Sequence, residues 1–368
     1  MRIGRTVLRA ALTAAVGLVV LAGPAGADPA KPVDYVSSVT SIQPPNDAIS
    51  LKVVGGDGFL DLKVKPGHDV VVKGYSGGPW LHIRPDGVVE ENQLSPATYL
   101  NANRYARVDV PQNVTEQSET TQPPQYKQVG AGGEFAWHDH RIHWMSPDDP
   151  PGHTRGDVIF PDWQVGMTVD NAPVTAHGQL VWKHSTTPIG WALIGVAAAG
   201  VTLLLGRGKS TFVAAIACLI ASVGALETGI VAYRSIPSVA GPNPLEIVLP
   251  AAAVLCAIGG LIFHRHPLGV VAILASLASL AGWAIMRYTV LLHPVLPTNL
   301  PFWLDRTSTA IALGCAVAAA VLAVRSGALV LRLPELDFGD AEESSNDHSG
   351  HSGNDVPRGD RGERSDVS

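Results

Sequence analysis

The sequence predicts a multi-domain membrane protein: an exported all-β, sandwich-like domain followed by an all-α bundle of five transmembrane helices, with a disordered carboxyl-terminal tail. Three observations predict it. The chain opens on a basic and then apolar leader, continues as a polar stretch broken into short alternating runs, and turns into a series of apolar segments of bilayer length. Composition agrees, since hydrophobic residues make up 46% and charged residues only 16%, against about a quarter charged in ordinary soluble domains. That apolar content excludes a disordered chain, and three cysteines exclude a disulfide scaffold. A formal charge of −6 without a basic, aromatic-laced patch argues against a nucleic-acid partner.

Residues 1–27 read as a signal peptide. Arg2, Arg5 and Arg9 precede an apolar run from Ala10 to Ala22, and Ala25 and Ala27 supply the small residues a signal peptidase accepts. Cleavage is placed after Ala27; an uncleaved anchor helix is the alternative, and the run is short for a full span.

Residues 28–186 form the predicted extracytoplasmic β-sandwich domain. Side chains alternate in Ile49–Val53 and Phe59–Val64, and Val70–Lys73 follows the turn residues Pro66-Gly67-His68-Asp69. Asp162–Val169 and Gly178–Trp182 flank Asp170-Asn171-Ala172-Pro173, which reads as a hairpin. A second turn is expected at Asp86-Gly87, with Trp80, His82 and Arg84 alternating onto one face. Asn92–Asn101 is expected as an ordered loop, and the stretch from Glu116 to Gly133 as a long surface loop.

Residues 187–333 contain five expected spans, at 188–205, 211–233, 246–263, 267–292 and 309–331. With the signal cleaved, the β domain faces outward and the carboxyl end inward. Arg207, Lys209, Arg265, Arg325 and Arg332 then fall on the inner side, as the positive-inside rule requires. The expected address is the bacterial plasma membrane, multi-pass, with the bilayer itself as a partner. The tail, residues 334–368, carries ten acidic residues against three arginines and is expected to be disordered and cytoplasmic.

The segment Trp137-His138-Asp139-His140-Arg141-Ile142-His143-Trp144-Met145 concentrates ligand chemistry. Imidazoles at this spacing hold transition metals and a thioether suits Cu(I), so His138, His140, His143 and Met145 are the candidate copper or zinc ligands. The bland alternative is a structural network in which Asp139 pairs with Arg141 or a histidine ring and Trp137 and Trp144 pack in the core. Within the helices, Glu227 and Arg287 sit at similar expected depth and are expected to pair, as a structural ion pair or as part of an ion path. Cys218, Cys256 and Cys315 read as small buried apolar residues. No nucleophile elbow, phosphate loop, zincin helix or dinucleotide fingerprint is present, so no catalytic residue is expected.

At Pro85-Asp86-Gly87-Val88, Ser95–Asn101 and Trp137–Met145 the chain resembles uncharacterised actinobacterial envelope membrane proteins. That resemblance implies a signal peptide, one exported domain, a small set of carboxyl-terminal helices and a plasma-membrane address, with no assigned activity. A looser likeness is to bacterial copper-resistance proteins, in which a β-sandwich binds copper beside a membrane partner. The expected function is display of the exported domain to a small ligand or envelope protein. Metal handling through 137–145 and transport through Glu227 and Arg287 are the alternatives.

Overall fold

The computed structural model describes residues 30–207 and 211–325. The leader at 1–27 and the tail at 334–368 lie outside the described residues. Among the described residues, ten strands and two short helices make up the first half. The strands are β1 (Tyr35–Gln43), β2 (Ile49–Val54), β3 (Phe59–Val64), β4 (Val70–Lys73), β5 (Pro79–Ile83), β6 (Val89–Asn92), β7 (Tyr126–Gly130), β8 (Glu134–Trp137), β9 (Val158–Val169) and β10 (Ala172–Trp182). The helices are α1 (Ala97–Leu100) and α2 (Glu116–Thr121).

All strand pairs are antiparallel. One sheet has seven strands in the order β1-β10-β9-β4-β5-β6-β7, and the other has three in the order β2-β3-β8. Period-two alternation explains the strands directly. Along β10, Val174, Ala176, Gly178, Leu180 and Trp182 are buried while the residues alternating with them are not. Leu51, Leu60 and Leu62 of the smaller sheet share one apolar cluster with Val72, Ile83, Val165 and Met167 of the larger. The β9–β10 hairpin turns on Asp170 and Asn171, whose φ values of 50° and 67° are what a two-residue turn of this hand demands.

Two loop expectations are corrected. The stretch from Glu116 to Gly133 is not one long loop, because it folds into α2 and β7. A capping box at Thr115 and Ser118 starts α2. Its inward face is polar, since Ser118 donates to the Leu94 carbonyl and Glu119 accepts from the Ser95 hydroxyl. That face therefore lacks the apolar stripe by which a helix is recognised in sequence. Asn92–Asn101 likewise contains the single turn of α1.

The second half holds α3 (Ile189–Arg207), α4 (Thr211–Ser235), α5 (Leu245–Ile262), α6 (Pro267–Arg287) and α7 (Phe302–Arg325). Three helical stretches among the described residues are long and apolar enough to cross a membrane: Phe212–Ser235, Leu245–Ile262 and Pro267–Leu291. Ile189–Leu205 is a shorter apolar helix. The last helix starts seven residues before the expected 309, taking Asp305 and Arg306 into its first turns. Large apolar side chains point away from the helix contacts; Ile220 and Leu255 are about 70% exposed. Pro267 at the first position of α6 and His266 accepting from the Leu268 N–H fix that helix start.

The β domain is fastened to the connections at one end of the helices. Val33 and Val295 exchange both backbone hydrogen bonds, at 3.0 and 3.1 Å. Gly56 is required beneath this bridge, because a Cβ there would come within 2.7 Å of Val33 and 2.8 Å of Val295. Asp34 is bound at once by His293, at 2.8 Å, and by Arg155, at 2.9 Å. Phe59 and Ala136 pack on Ile236 and Ala240, which lie between α4 and α5.

Candidate functional site

The chain leaves the small sheet at Trp137, so the histidines at 138, 140 and 143 are not carried on a strand. Trp137 packs edge-on against Trp80 at 5.2 Å, and its indole N–H donates to Asp139 at 2.8 Å. Asp139, fully buried, is the hub of the segment. It accepts the Arg141 backbone N–H at 3.0 Å and both arms of the Arg141 guanidinium, at 2.8 and 2.6 Å. Burial pushes the Asp139 carboxyl up, but the Arg141 charge and the Arg141 and Trp137 hydrogen bonds outweigh it and hold it below the usual carboxylate range. The Arg141 guanidinium lies over the Tyr75 ring at 5.1 Å. The Tyr75 hydroxyl donates to Asn101 and accepts from the His140 N–H.

The three histidines do not converge as a metal centre requires. His138 Nδ1 donates to the Gly58 carbonyl at 2.6 Å, His140 Nε2 to the Asn103 carbonyl at 3.0 Å, and His143 Nδ1 to the Trp144 carbonyl at 3.1 Å. A carbonyl only accepts, so each ring is fixed as a donor to a different backbone position. His138 stacks on Phe59 and His140 on Tyr75, while His140 and His143 meet edge-on with centroids 5.6 Å apart. Met145 is 37% exposed and joins none of these contacts. Among the described residues no group of three or more His, Cys, Asp or Glu side chains is placed to hold a metal ion. The expectation of copper or zinc at His138, His140, His143 and Met145 is corrected to a structural network.

That network is pH-sensitive. Burial, then the nearby Arg104 charge, pushes the His143 imidazole down to about 3 from an ordinary 6.5. Below the ordinary value the unfolded chain takes a proton that the folded chain refuses. Stability is therefore complete above 6.5 and falls as the pH drops toward 3. Urea unfolding followed by tryptophan fluorescence should show the β domain losing about 1 kcal/mol between neutral pH and one unit below the ordinary histidine value. His143→Phe should shrink that loss, and an undiminished loss would contradict the assignment.

The second marked segment is split by a bulge. Lys73 pairs with Pro79 and Val72 with Leu81, so Trp80 is the extra residue and turns into the core beside Leu81. Trp80, His82 and Arg84 therefore do not form one wall. His82 bonds Asp69 at 2.8 Å with Glu90 at 3.5 Å, and Arg84 pairs with Asp86.

In the helices, the expected Glu227–Arg287 pair is corrected. Arg287, at the end of α6, donates to Glu246 at 2.5 Å and to both oxygens of Asp305 at 2.7 Å, and its guanidinium lies over Trp283 at 5.1 Å. Both carboxylates come from first turns, Glu246 of α5 and Asp305 of α7. Similar depth was the ground for pairing Glu227 with Arg287, and depth says nothing of the direction around the helix. Glu227 instead lines an apolar groove of about 660 Å³ between α3, α4 and α7, and has no ion-pair or hydrogen-bond partner among the described residues. Cys218 and Cys315 are buried and Cys256 half-buried, all as free thiols.

Sequence reasoning missed Tyr75 and Arg104, which stand alone in loops, and Glu246 and Asp305, which lie at the polar margins of apolar runs. The class of protein thus defined is an antiparallel β domain joined to helices long and apolar enough for a bilayer. Comparison with protein-family models, with curated proteins and with solved structures gives no match.

Proposed function

We propose that the chain is a multi-pass plasma-membrane protein whose five helices form a transmembrane bundle and whose β-sandwich-like domain is held on the outer face to engage a ligand or partner of the cell envelope. The observation that carries this reading is the one-ended attachment of the β domain. It touches the chain at Val295, between α6 and α7, and at Ile236 and Ala240, between α4 and α5. The other connections, after α3 and after α5, carry Arg207, Lys209 and Arg265. Basic residues in these two connections follow the charge pattern of inward-facing loops. Side chains such as Leu193, Val196 and Ile220, more than 60% exposed, favour lipid as their surroundings over water. The two-sheet packing around one core supports the sandwich description.

The orientation is tested with single cysteines in full-length chain whose Cys218, Cys256 and Cys315 are replaced by alanine. Gln128→Cys, on the exposed edge strand β7, should react with a membrane-impermeant maleimide in intact cells. Lys209→Cys should react only after lysis. The reverse pattern would turn the protein over, and release of the whole chain by alkaline carbonate would end the membrane reading.

A further inference from the structure

The groove between α3, α4 and α7 is a chamber with two chemical ends. One end is lined by small and aliphatic groups, Ala198, Ala217, Val201 and Ile220 among them, together with Cys315. Its other end gathers Glu227, Thr228, Thr307 and Ser308. The volume of about 660 Å³ falls within the range of pockets that hold small molecules, roughly 300–1,000 Å³. Two of the hydroxyls are already engaged by their own helices, Thr228 donating to the Gly224 carbonyl and Thr307 to the Trp303 carbonyl. Glu227 is not engaged. Its side chain is exposed toward the groove, and no cation or donor among the described residues reaches it.

The position makes that carboxylate unusual. Glu227 lies about 12 Å along α4 from Ser235, at the helical rise of ~1.5 Å per residue. The same helix is one of those long and apolar enough to cross a bilayer. An acidic side chain within such a span is costly unless it is paired. Elsewhere in the helices the acidic groups have partners: Glu246 and Asp305 both bind Arg287. The Arg306 guanidinium is spent on the carbonyls of Val290, His293 and Pro294. Among the described residues no cation of these helices pairs with Glu227.

We propose that the groove binds a membrane-resident amphiphile with a protonated amine headgroup, its chain lying along the small-residue wall and its ammonium on Glu227. Charge complementarity selects the headgroup and the apolar depth selects the tail. Thr307 and Ser308 keep acceptor oxygens for the remaining ammonium hydrogens. The proposal rests on membrane insertion of the helices but not on which way the β domain faces.

The test uses the full chain in phosphatidylcholine nanodiscs and a spin-labelled stearylamine, with the spin-labelled stearyl alcohol of equal length as the control. Recovery of the chain in the nanodisc fraction establishes insertion independently of binding. The amine should give a saturable immobilised component in the electron paramagnetic resonance spectrum. Glu227→Gln should weaken it about ten- to a hundredfold, the range for losing one charge-assisted hydrogen bond. Ala221→Phe, which fills the groove wall, should abolish it while leaving Glu227 in place. Equal immobilisation of alcohol and amine overturns the proposal, as does an unchanged amine signal in Glu227→Gln. Loss of the signal on self-association of the chain would assign the groove to a second copy instead.

Discussion

Replacing Arg287 by leucine is expected to cost about 3–5 kcal/mol of stability, because it strands two carboxylates that the folded chain cannot rehydrate. Arg287 is 6% exposed and Asp305 fully buried. The guanidinium bridges α5 and α7 from the end of α6, so its loss also removes the polar tie among three helices. The thermal midpoint of the detergent-solubilised chain, with its folded yield on gel filtration, reads the effect. Adding Glu246→Gln and Asp305→Asn to the leucine variant should restore most of the loss, since neutral amides no longer need a cation. Adding Glu227→Leu should restore none. An Arg287→Leu protein with an unchanged midpoint, or one rescued through Glu227, would refute the triad.

Asp139→Ala should have a comparable effect on the β domain, again about 3–5 kcal/mol, the usual consequence of unpairing a buried charge. The carboxylate collects two arms of Arg141, the Arg141 backbone and the Trp137 indole. Alanine leaves those donors facing one another in a core site. A double variant with Arg141→Met should be less damaged than the sum of the single ones, because the uncompensated guanidinium is gone. The acid response has a definite sign. Asp139 is held below its ordinary 3.8, so the pair's contribution is present above that value and is lost as the pH falls through the lower folded one. Loss of the Trp137 fluorescence change on denaturation at unaltered stability would show that the hub carries no weight.

Strands such as Ile49–Val54 were legible because one face is buried, which forces period two into sequence, and the Asp170-Asn171 turn because its backbone demands those residue types. The apolar helices were legible because lipid demands length and composition together. The start of α7 was not, because Asp305, Arg306 and Thr307 read as a polar loop until the partner at position 287 is placed beside them. The short helix Glu116–Thr121 was hidden for a related reason, its buried face being made of Ser118 and Glu119. At 137–145 the residue types were correct and the geometry was not. Spacing along a chain assumes a regular element, and the strand stops at Trp137, so each ring finds its own carbonyl. Depth in the membrane could be counted from the sequence, but azimuth could not, which is why Glu227 was assigned the wrong neighbour.

The Val33–Val295 bridge carries a consequence for biogenesis. Ribosomes deliver the amino end first, so Val33 is made long before Val295, its partner in the α6–α7 connection, exists. The β domain must therefore wait for this tie until α6 and the connection after it have been synthesised. Any chaperone serving this chain would find a task there, shielding the Val33 backbone during that interval.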